Sequence, residues 1–538
     1  MASCPSGPEL LMHQQQGDSA PAADAAASEH GRYVGHALVV PLPAQGHLNP
    51  MMQLAKQLAS RSFLVTFLIT SRFHARIPSL LHRNIRILHI PDGMPPDCDP
   101  FAGGNIEPLC RAFEALAAPV KRLVQKLVQE IPPLTCIVSD MFAPFTQDVA
   151  TDFNLPRVAV WLQSAASFMV NLHVPLLISK GHIPVCKENS GELITCIPAH
   201  PPLAPWELPS FYQVPDLSDF MVQFKLKPFE LPRLKQAHCI LINTFTALES
   251  QILNALNKQL SLCQEDDQHQ HPPLLINAAG PFLPPAYVTA TSVKHTRAAR
   301  LPAQTDTTTG MALWTEDTEC IDWLDQQAPK SVLYVSFGSI VSMQAAQFLE
   351  LLGGLDMACS NNSELRVLWV VRPDFLKNVE AEMVGVNSTI MRGREKLEGV
   401  LYMTSWVPQA MVLAHAAVGA FLTHCGWNST LEGVSMGVPM LGWPLFSEQW
   451  LNRKWVVEEW RIGLKFQEDE QGLVRREEVQ RVIWAMMKSP LGRDIRERAL
   501  RLKEASTQAW TATGSSLLNL NRVVNSLQKN QPRDFAKF

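Results

Sequence analysis

Short runs of consecutive apolar residues recur along the chain, separated by stretches with the three-to-four-residue apolar spacing of helices. A run of about four to eight apolar residues is typical of a strand that is buried on both faces, as in a parallel sheet. Alternation of such strands with helices therefore predicts an α/β fold with helices on both faces of each sheet. The runs lie at 36–42, 63–70, 85–90, 136–140 and 157–161, and again at 331–335, 367–371, 400–403, 418–422 and 438–441.

The series of strand-like runs is interrupted once. After 274–276 the chain is rich in proline, and then in Thr, Ala and Arg up to about Trp314. Such a composition is typical of a linker or a surface loop. The pattern accordingly divides the chain into two α/β domains, at 33–285 and 317–510, joined by a linker at 286–316. Ligands of such proteins usually bind in the cleft between the domains.

The two ends of the chain differ from these domains. Residues 1–32 are rich in Ala, Gln, Ser and Pro, and they lack the basic start and apolar core of a signal peptide. We interpret them as a disordered extension. The segment from about Glu477 to Leu527 has helical periodicity, so residues 511–538 are expected to begin with a helix and to end in a tail.

Composition and charge narrow the class of protein. The 538 residues are 46% hydrophobic and 18% charged, which is enough apolar material for two large cores. A formal net charge of −4 gives no electrostatic reason to expect nucleic acid as a partner, and no run of roughly 18 apolar residues predicts a membrane span. The eleven cysteines include no CxxC pair, so we expect reduced thiols in a cytoplasmic protein, with neither disulfides nor a zinc site.

One segment, from Trp406 to Gln449, carries most of the candidate chemistry. The strand-like run at 418–422 leads into a polar, glycine-containing turn that opens a helix. The first turn of a helix presents free backbone N–H groups at the positive end of the helix dipole, which favours binding of a diphosphate. The side chains of His424, Asn428 and Ser429 add further donors there.

The same segment contains groups that suit the rest of a nucleotide sugar. Glu432 lies about one helical turn after Asn428, and its carboxylate can accept the two hydroxyls of a ribose. The indole of Trp406 can stack on a flat base, while Glu448 and Gln449 offer acceptors and donors for a sugar. Each residue alone also fits a plain strand–turn–helix unit, so it is the combination that indicates the function.

The whole segment of 44 residues resembles the signature box of the plant family 1 UDP-glycosyltransferases, and the similarity extends more loosely over the chain beyond its first thirty residues. The resemblance implies a GT-B fold, in which two Rossmann-like domains with parallel sheets face each other across a cleft. It implies that 317–510 holds the UDP-sugar and that 33–285 holds the acceptor. It also implies that the helix within 511–538 packs back on the N-terminal domain.

The resemblance implies a role for each matching residue on the nucleotide side. Trp406 stacks on uracil, Gln409 lies beside it, and Glu432 binds the ribose hydroxyls. The residues at diphosphate-binding positions are His424, Asn428 and Ser429, and Ser339 matches a further donor-side loop.

The positions that hold the sugar are matched by Trp427, Glu448 and Gln449. Glutamine at the last of these positions resembles the glucose users of the family, whereas histidine there is associated with galactose. Glu448 stands where aspartate is more usual, and its extra methylene bears on the preference for one sugar over another.

The segment after the first strand combines a candidate helix start with candidate chemistry. Asn49 is a favourable N-cap and Pro50 suits the first position of a helix, so we predict a loop at 44–49 and a helix at 51–59. His47 would then lie in the loop.

Transfer of a glycosyl group to an alcohol needs a general base, because a neutral hydroxyl is a poor nucleophile. A histidine whose second ring nitrogen is held by a carboxylate can supply one. His47 follows the first strand and Asp140 ends a later one, so a parallel sheet places both at its carboxyl edge. Spacing alone leaves a surface or structural role open for His47. However, 45–50 and 138–140 resemble the catalytic loop and the aspartate strand of the family, which implies that His47 is the base and Asp140 its partner.

These features together predict inverting, metal-independent transfer of a sugar, glucose by preference, from a UDP-sugar to a hydroxyl of a small lipophilic acceptor such as a flavonoid or a terpenoid. We expect a monomer with no cofactor, since the UDP-sugar is a co-substrate. We expect no metal site either, since Asp97–Asp99 has the spacing of a metal-binding pair but reads as a solvated turn. Candidate segments of the acceptor pocket, whose aromatic residues could equally fill the core, are Met141–Phe142, Phe168–Met169 and the proline-rich stretch 197–211, which contains Trp206 and Phe211.

Three other classes of protein differ from this interpretation in the residues or the products that they require. An NAD-dependent oxidoreductase needs GxGxxG after its first strand, and the loop at 43–47 does not have it. A non-catalytic protein that binds UDP-sugar would lack the base or its partner, yet His47 and Asp140 are both present. A GT-B nucleotide-sugar epimerase remains an alternative, which product analysis with and without an acceptor separates.

Overall fold

The computed structural model describes residues 33–74, 82–95, 106–185, 189, 191–265, 274–288, 315–339, 343–372 and 399–529. The predicted extension at 1–32, most of the linker at 286–316 and the turn at Asp97–Asp99 lie outside the described residues. Two parallel sheets, one in each half of the chain, organise the rest.

The N-terminal half contains a seven-stranded sheet in the order β3-β2-β1-β4-β5-β6-β7. All neighbouring strands pair in parallel, and β1, β4 and β5 are buried along their whole length. Continuous apolar runs are the expected sequence of such strands. The strands are β1 (Gly35–Val40), β2 (Phe63–Thr70), β3 (Ile85–Ile90), β4 (Cys136–Asp140), β5 (Arg157–Trp161), β6 (Cys239–Ile242) and β7 (Ile276–Ala278).

Helices cover this sheet. Those of the N-terminal half are α1 (Gln45–Ala59), α2 (Ser71–His74), α3 (Glu107–Glu114), α4 (Ala117–Leu127), α5 (Phe145–Asp152), α6 (Ala165–Leu172), α7 (Val174–Ser179), α8 (Phe220–Leu226), α9 (Leu231–Lys235) and α10 (Ser250–Glu265). Among the helices that the structure describes, none has both the length and the apolar character needed to cross a bilayer.

The C-terminal half contains a six-stranded parallel sheet in the order β10-β9-β8-β11-β12-β13. Its strands are β8 (Val332–Ser336), β9 (Arg366–Val370), β10 (Leu401–Thr404), β11 (Val418–Thr423), β12 (Met440–Gly442) and β13 (Gly463–Lys465). Its helices are α11 (Glu319–Asp325), α12 (Ala345–Ser360), α13 (Gln409–Ala414), α14 (Trp427–Met436), α15 (Gln449–Lys454), α16 (Arg476–Met487) and α17 (Pro490–Ala509), followed by α18 (Ser515–Lys529).

The strand order of each sheet reverses direction beside its first strand. In the first sheet β1 lies between β2 and β4, and in the second β8 lies between β9 and β11. At such a point the connecting segments leave toward opposite faces, which opens a crevice at the carboxyl ends of the strands. The segments that border the two crevices carry His47 and Asp140 in the first sheet, and Ser339 and His424 in the second.

The predicted start of the helix after β1 is wrong. α1 begins at Gln45, so His47 lies in its first turn, and Pro50 lies inside the helix. A proline within a helix lacks the N–H that would reach the carbonyl four residues earlier, which here belongs to Gly46. The side-chain amide of Asn428 donates to that carbonyl at 2.6 Å. A hydrogen bond from the other domain therefore satisfies a group that the proline leaves without its helical partner.

The last helix, α18, packs on the N-terminal sheet although it follows the C-terminal domain in the chain. The hydroxyl of Ser516 donates to the carbonyl of Gly280 at 2.6 Å, and the amide of Asn519 donates to that of Ala278 at 2.9 Å. The apolar face of α18 belongs to the N-terminal core through Leu520, Val523, Val524 and Leu527. The two domains are thus joined by packed structure at a second place besides the linker.

Candidate active site

A cavity lies between the carboxyl edges of the two sheets and is lined by residues of both domains. Eleven of the twelve predicted site residues line it, and Asp140 lies directly behind His47. The structure thus brings together residues that are up to several hundred positions apart in the sequence. The lining members are His47, Ser339, Trp406, Gln409, His424, Trp427, Asn428, Ser429, Glu432, Glu448 and Gln449.

His47 and Asp140 form a hydrogen-bonded pair in the first crevice. Nδ1 of His47 lies 2.6 Å from Oδ2 of Asp140, which is 1% exposed. Backbone N–H groups of Phe142 and Leu42 donate to the same carboxylate, at 2.9 Å and 3.4 Å. Because a carboxylate only accepts hydrogen bonds, Nδ1 carries the proton of the neutral ring. The lone pair of Nε2 is therefore free to accept a proton from a ligand in the cavity.

A network of polar side chains in the second crevice surrounds Glu432. Nε2 of Gln409 donates to Oγ of Ser429 at 3.0 Å and to Oε2 of Glu432 at 2.5 Å. The hydroxyl of Tyr334 donates to Oε1 of Gln409 at 2.9 Å and fixes the orientation of that amide. Burial raises the pKa of Glu432 to about 7, partly opposed by the hydrogen bond from Gln409. Sequence reasoning missed Tyr334, whose only signal is a phenol within a strand that is otherwise apolar.

His424 follows β11 and is enclosed by backbone. A Cβ at Gly338 or at Gly426 would collide with Nε2 of its ring, and Gly338 has a φ of +77°. Only glycine allows both this backbone conformation and this close approach. Burial lowers the pKa of His424 to about 4, so the ring is neutral at pH 7. His424 can therefore give a phosphate a hydrogen bond but no positive charge.

The N-terminus of α14 faces the cavity and also contacts the N-terminal domain. Besides the hydrogen bond from Asn428 to Gly46, the indole N–H of Trp427 donates to the carbonyl of Asn243 at 2.8 Å. Trp427 is 3% exposed, its ring packs in the core and its indole N–H is engaged within the protein, so its backbone is the part left for a sugar. Residues at the start of α14 therefore connect the domains as well as lining the cavity.

The side chains of Glu448 and Gln449 are fixed at the start of α15. Oε1 of Gln449 accepts the backbone N–H groups of Leu445 and Phe446 at 2.8 Å and 2.9 Å, so its amide nitrogen is the part available as a donor. The carboxylate of Glu448 accepts the hydroxyl of Ser447 at 2.5 Å. Ser447 has a φ of +62°, which is unfavourable for a residue with a side chain. Its backbone is held in both directions by Ser210 of the N-terminal domain.

The apolar part of the cavity is formed by residues that the sequence did not indicate. Phe168 and Met169 are fully buried in the core and Trp206 is 44% exposed, and none of the six predicted acceptor-pocket residues lines the cavity. That prediction is wrong because an apolar residue near a strand end fills the core as readily as a pocket. The apolar lining includes instead Leu42 after β1, Ile106, Leu109 and Cys110 at the start of α3, and Phe224 of α8.

The cavity lies between two Rossmann-like domains. One domain supplies a histidine–aspartate pair, and the other supplies a helix N-terminus and a carboxylate that can bind ribose hydroxyls. This combination defines an enzyme that uses a nucleotide-linked substrate. Comparison with known proteins then gives the family. A model described as UDP-glucoronosyl and UDP-glucosyl transferase matches residues 314–470, and a model of the glycosyltransferase N-terminal domain matches residues 36–178.

Individual relatives are similar over nearly their whole length. The chain is 35% identical to UDP-glycosyltransferase 85A1 of Arabidopsis thaliana, across 93% of this chain and 99% of that protein. It is also 35% identical to 7-deoxyloganetin glucosyltransferase of Gardenia jasminoides, across 91% of this chain and 97% of that protein. The structure of Os79 from O. sativa in complex with UDP is similar with a TM-score of 0.71 and 27% identity, covering 91% of this chain and 100% of that one.

The chain belongs to the UDP-glycosyltransferase family, and it is a UDP-glycosyltransferase with a GT-B fold. This confirms the family, the fold class and the class of enzyme that the sequence predicted. Within the described ranges, no three His, Cys, Asp or Glu side chains are grouped so that they could hold a metal ion.

Proposed function

We propose that this enzyme transfers glucose from UDP-glucose to a hydroxyl of a small, largely apolar acceptor, with inversion at the anomeric carbon and without a metal ion. The observation that carries the proposal is that Nε2 of His47 and the N-terminus of α14 face one cavity from opposite domains. A base and a site for a leaving diphosphate are thus available to the same reacting carbon. Support for glucose comes from Gln449 and from the relatives that are named glucosyltransferases.

In the proposed step, Nε2 of His47 removes the proton of the acceptor hydroxyl while that oxygen bonds to the anomeric carbon. The bond from this carbon to the β-phosphate oxygen breaks on the opposite face, so UDP leaves and the configuration inverts. The proton remains on His47, and the carboxylate of Asp140 stabilises the resulting imidazolium. Backbone N–H groups of α14, with His424, Asn428 and Ser429, stabilise the diphosphate that departs.

The proposed donor contacts follow the same cavity wall. Trp406 stacks on uracil beside Gln409, and Glu432 accepts the ribose hydroxyls. Trp427, Glu448 and Gln449 are assigned to binding of the sugar, and Ser339 is assigned to a further loop on the donor side. Because Oε1 of Gln449 is already occupied by backbone N–H groups, its amide nitrogen is the group that donates to a sugar hydroxyl.

A panel of alcohol and phenol acceptors, offered with UDP-glucose, UDP-galactose and UDP-glucuronate and followed by mass spectrometry, tests the proposal. Transfer from UDP-glucose is expected to be fastest, with a β-linked product from the α-linked donor. Hydrolysis of the donor with no transfer to any acceptor would contradict the proposal. A new nucleotide sugar formed without an acceptor would instead identify an epimerase.

Replacing Glu432 with glutamine is expected to stabilise the ligand-free enzyme above pH 7 and to weaken its binding of UDP-glucose. Burial raises the pKa of Glu432 from 4.5 to about 7, so the folded state binds more protons than the unfolded state between these values. The stabilisation from this carboxyl is therefore lost as pH rises from about 4.5 through about 7. The neutral amide avoids that loss, a gain of roughly 1–3 kcal/mol at pH 8.

Calorimetric Tm values at pH 5 and pH 8, together with the Kd of UDP-glucose, check this expectation. The gain in Tm should be present at pH 8 and largely absent at pH 5. Glu504→Gln, on the exposed face of α17, is the matched control and should change neither quantity. An unchanged Tm at pH 8 with an unchanged Kd would remove Glu432 from the donor site.

We also propose that the enzyme is cytoplasmic and monomeric. The seven cysteines whose side chains the structure describes are free thiols, in keeping with a reducing compartment. The base, its carboxylate partner and the candidate donor-binding residues all come together within this chain, so a single copy can supply every group that the proposed step uses. Light scattering on the purified enzyme measures its mass directly, and a dimer at micromolar concentration would contradict the proposal that the enzyme is monomeric.

A further inference from the structure

A lysine is buried in the acceptor half of the cavity. Lys225, on α8, is 9% exposed and lines the cavity. Its Nζ lies 4.2 Å from the centre of the Phe142 ring and 4.6 Å from that of the Phe211 ring. Within the part of the chain that the structure describes, no side chain forms an ion pair with Lys225 and no acceptor forms a hydrogen bond with its ammonium group.

This environment does not satisfy the ammonium group. The two ring faces attract a cation, but they leave its three N–H donors without oxygen acceptors. Burial lowers the pKa of Lys225, whereas the more distant carboxylates of Glu448 and Asp140 raise it. A buried charge without a hydrogen-bonding partner is costly, so a ligand that supplies an anionic oxygen here gains more than a neutral one.

The position of Lys225 relative to His47 limits what such a ligand can be. Phe142 lies close to both residues, because the centre of its ring is 5.9 Å from that of the His47 imidazole and 4.2 Å from the ammonium group. A hydroxyl at His47 and an anionic group at Lys225 can therefore belong to one small molecule. The neighbouring lining residues Ile106 and Leu109 are apolar, and they suit the frame between these two groups.

We propose that Lys225 determines acceptor specificity by pairing with a carboxylate, so that the enzyme prefers hydroxyl acceptors that carry one anionic group on an otherwise apolar frame. This inference rests on the proposed function, because it concerns the acceptor that reacts at His47. Lys225 would act on binding of the acceptor and not on the UDP-sugar.

Two acceptors of nearly equal shape, 4-(hydroxymethyl)benzoate and 4-(hydroxymethyl)benzamide, test the inference with UDP-glucose as donor. The wild-type enzyme is expected to have the higher kcat/KM for the acid. Lys225→Met keeps the length of the side chain and removes its charge, and it should lower kcat/KM for the acid by about 10- to 100-fold, as for loss of a hydrogen bond to a charged group. The value for the amide should stay within about threefold, and the KM for UDP-glucose should not change.

Lys227→Met is the matched control, since Lys227 is two residues away and pairs at the surface with Glu114 at 2.7 Å. It should leave both acceptors unaffected. An equal loss for acid and amide in Lys225→Met, or a raised KM for UDP-glucose, would show instead that Lys225 supports the sugar site or the fold. Equal use of acid and amide by the wild-type enzyme would also overturn the inference.

A binding measurement on the wild-type enzyme covers the case in which Lys225→Met does not fold. With UDP bound, the acid should raise the Tm more than the amide does at equal concentration, and no difference between them would contradict the inference. Transfer to 4-methylbenzyl alcohol, which has a hydroxyl but no anionic group, separates failure of the specificity inference from failure of the proposed function. If this alcohol is glucosylated while the acid is not preferred, the specificity inference fails and the proposed function stands. If none of the three is glucosylated and the acceptor panel also gives no product, the proposed function fails.

Discussion

Replacing His47 with alanine is expected to lower kcat for sugar transfer by roughly 10²- to 10⁴-fold, the usual contribution of a general base. The variant loses the one group that we assign to removal of the acceptor proton, while the donor contacts of the C-terminal domain remain. The Kd of UDP-glucose should therefore stay within about threefold of the wild-type value. Initial rates by mass spectrometry and a calorimetric titration of the donor measure the two effects separately.

His89→Ala is a suitable control, because this histidine lies on β3 and does not line the cavity. It should transfer at the wild-type rate. If His47→Ala also transferred at that rate, His47 would not be the base. A loss of donor binding equal to the loss of rate would point to damage at the interface between the domains, since Gly46 bonds to Asn428.

Replacing Asp140 with asparagine is expected to lower kcat by roughly 10²- to 10⁴-fold as well, through the tautomer of His47. The amide nitrogen of asparagine donates to Nδ1, so the ring proton moves to Nε2 and the base is lost. The backbone N–H of Phe142 keeps its oxygen acceptor at the Oδ1 position and only the long 3.4 Å contact from Leu42 is lost, so the fold should be retained. A circular dichroism melt checks the fold, and initial rates check the effect on catalysis.

A double-mutant cycle decides whether Asp140 acts through His47. Added to His47→Ala, the Asp140→Asn change should have little further effect on kcat, because residues that act as one unit are not additive. Asp148→Asn, which removes a surface partner of Arg233, is the matched control and should leave kcat unchanged in either background. Independent, multiplicative losses from Asp140→Asn and His47→Ala would contradict a positioning role.

The strands with long apolar runs were predicted to within about two residues, because burial on both faces of a parallel sheet leaves a direct mark on the sequence. The strands β6 and β13, of four and three residues, were missed. The start of α1 could not be predicted, since the hydrogen bond that tolerates Pro50 comes from Asn428, 382 positions from its partner Gly46.

The residues of the candidate site also differ in whether the sequence alone could indicate them. The residues from Trp406 to Gln449 are close in sequence and lie at successive strand ends and helix starts of one sheet, so their pattern alone indicated a nucleotide-sugar site. Tyr334 and Lys225 each stand in an ordinary strand or helix, and their significance comes from what the folded chain places beside them. The acceptor pocket was predicted least well because apolar residues carry no sign of which cavity they face.

The hydrogen bonds between the two domains link the two halves of the cavity to each other. Asn428 bonds to Gly46, Trp427 bonds to Asn243, and Ser447 bonds to Ser210, and in each pair the first residue belongs to the donor half of the cavity. Any motion that spreads the domains must break these bonds as it moves His47 away from the donor half. A substrate that binds across both halves therefore also stabilises the contact between the domains, so binding of one substrate is thermodynamically linked to alignment of the other.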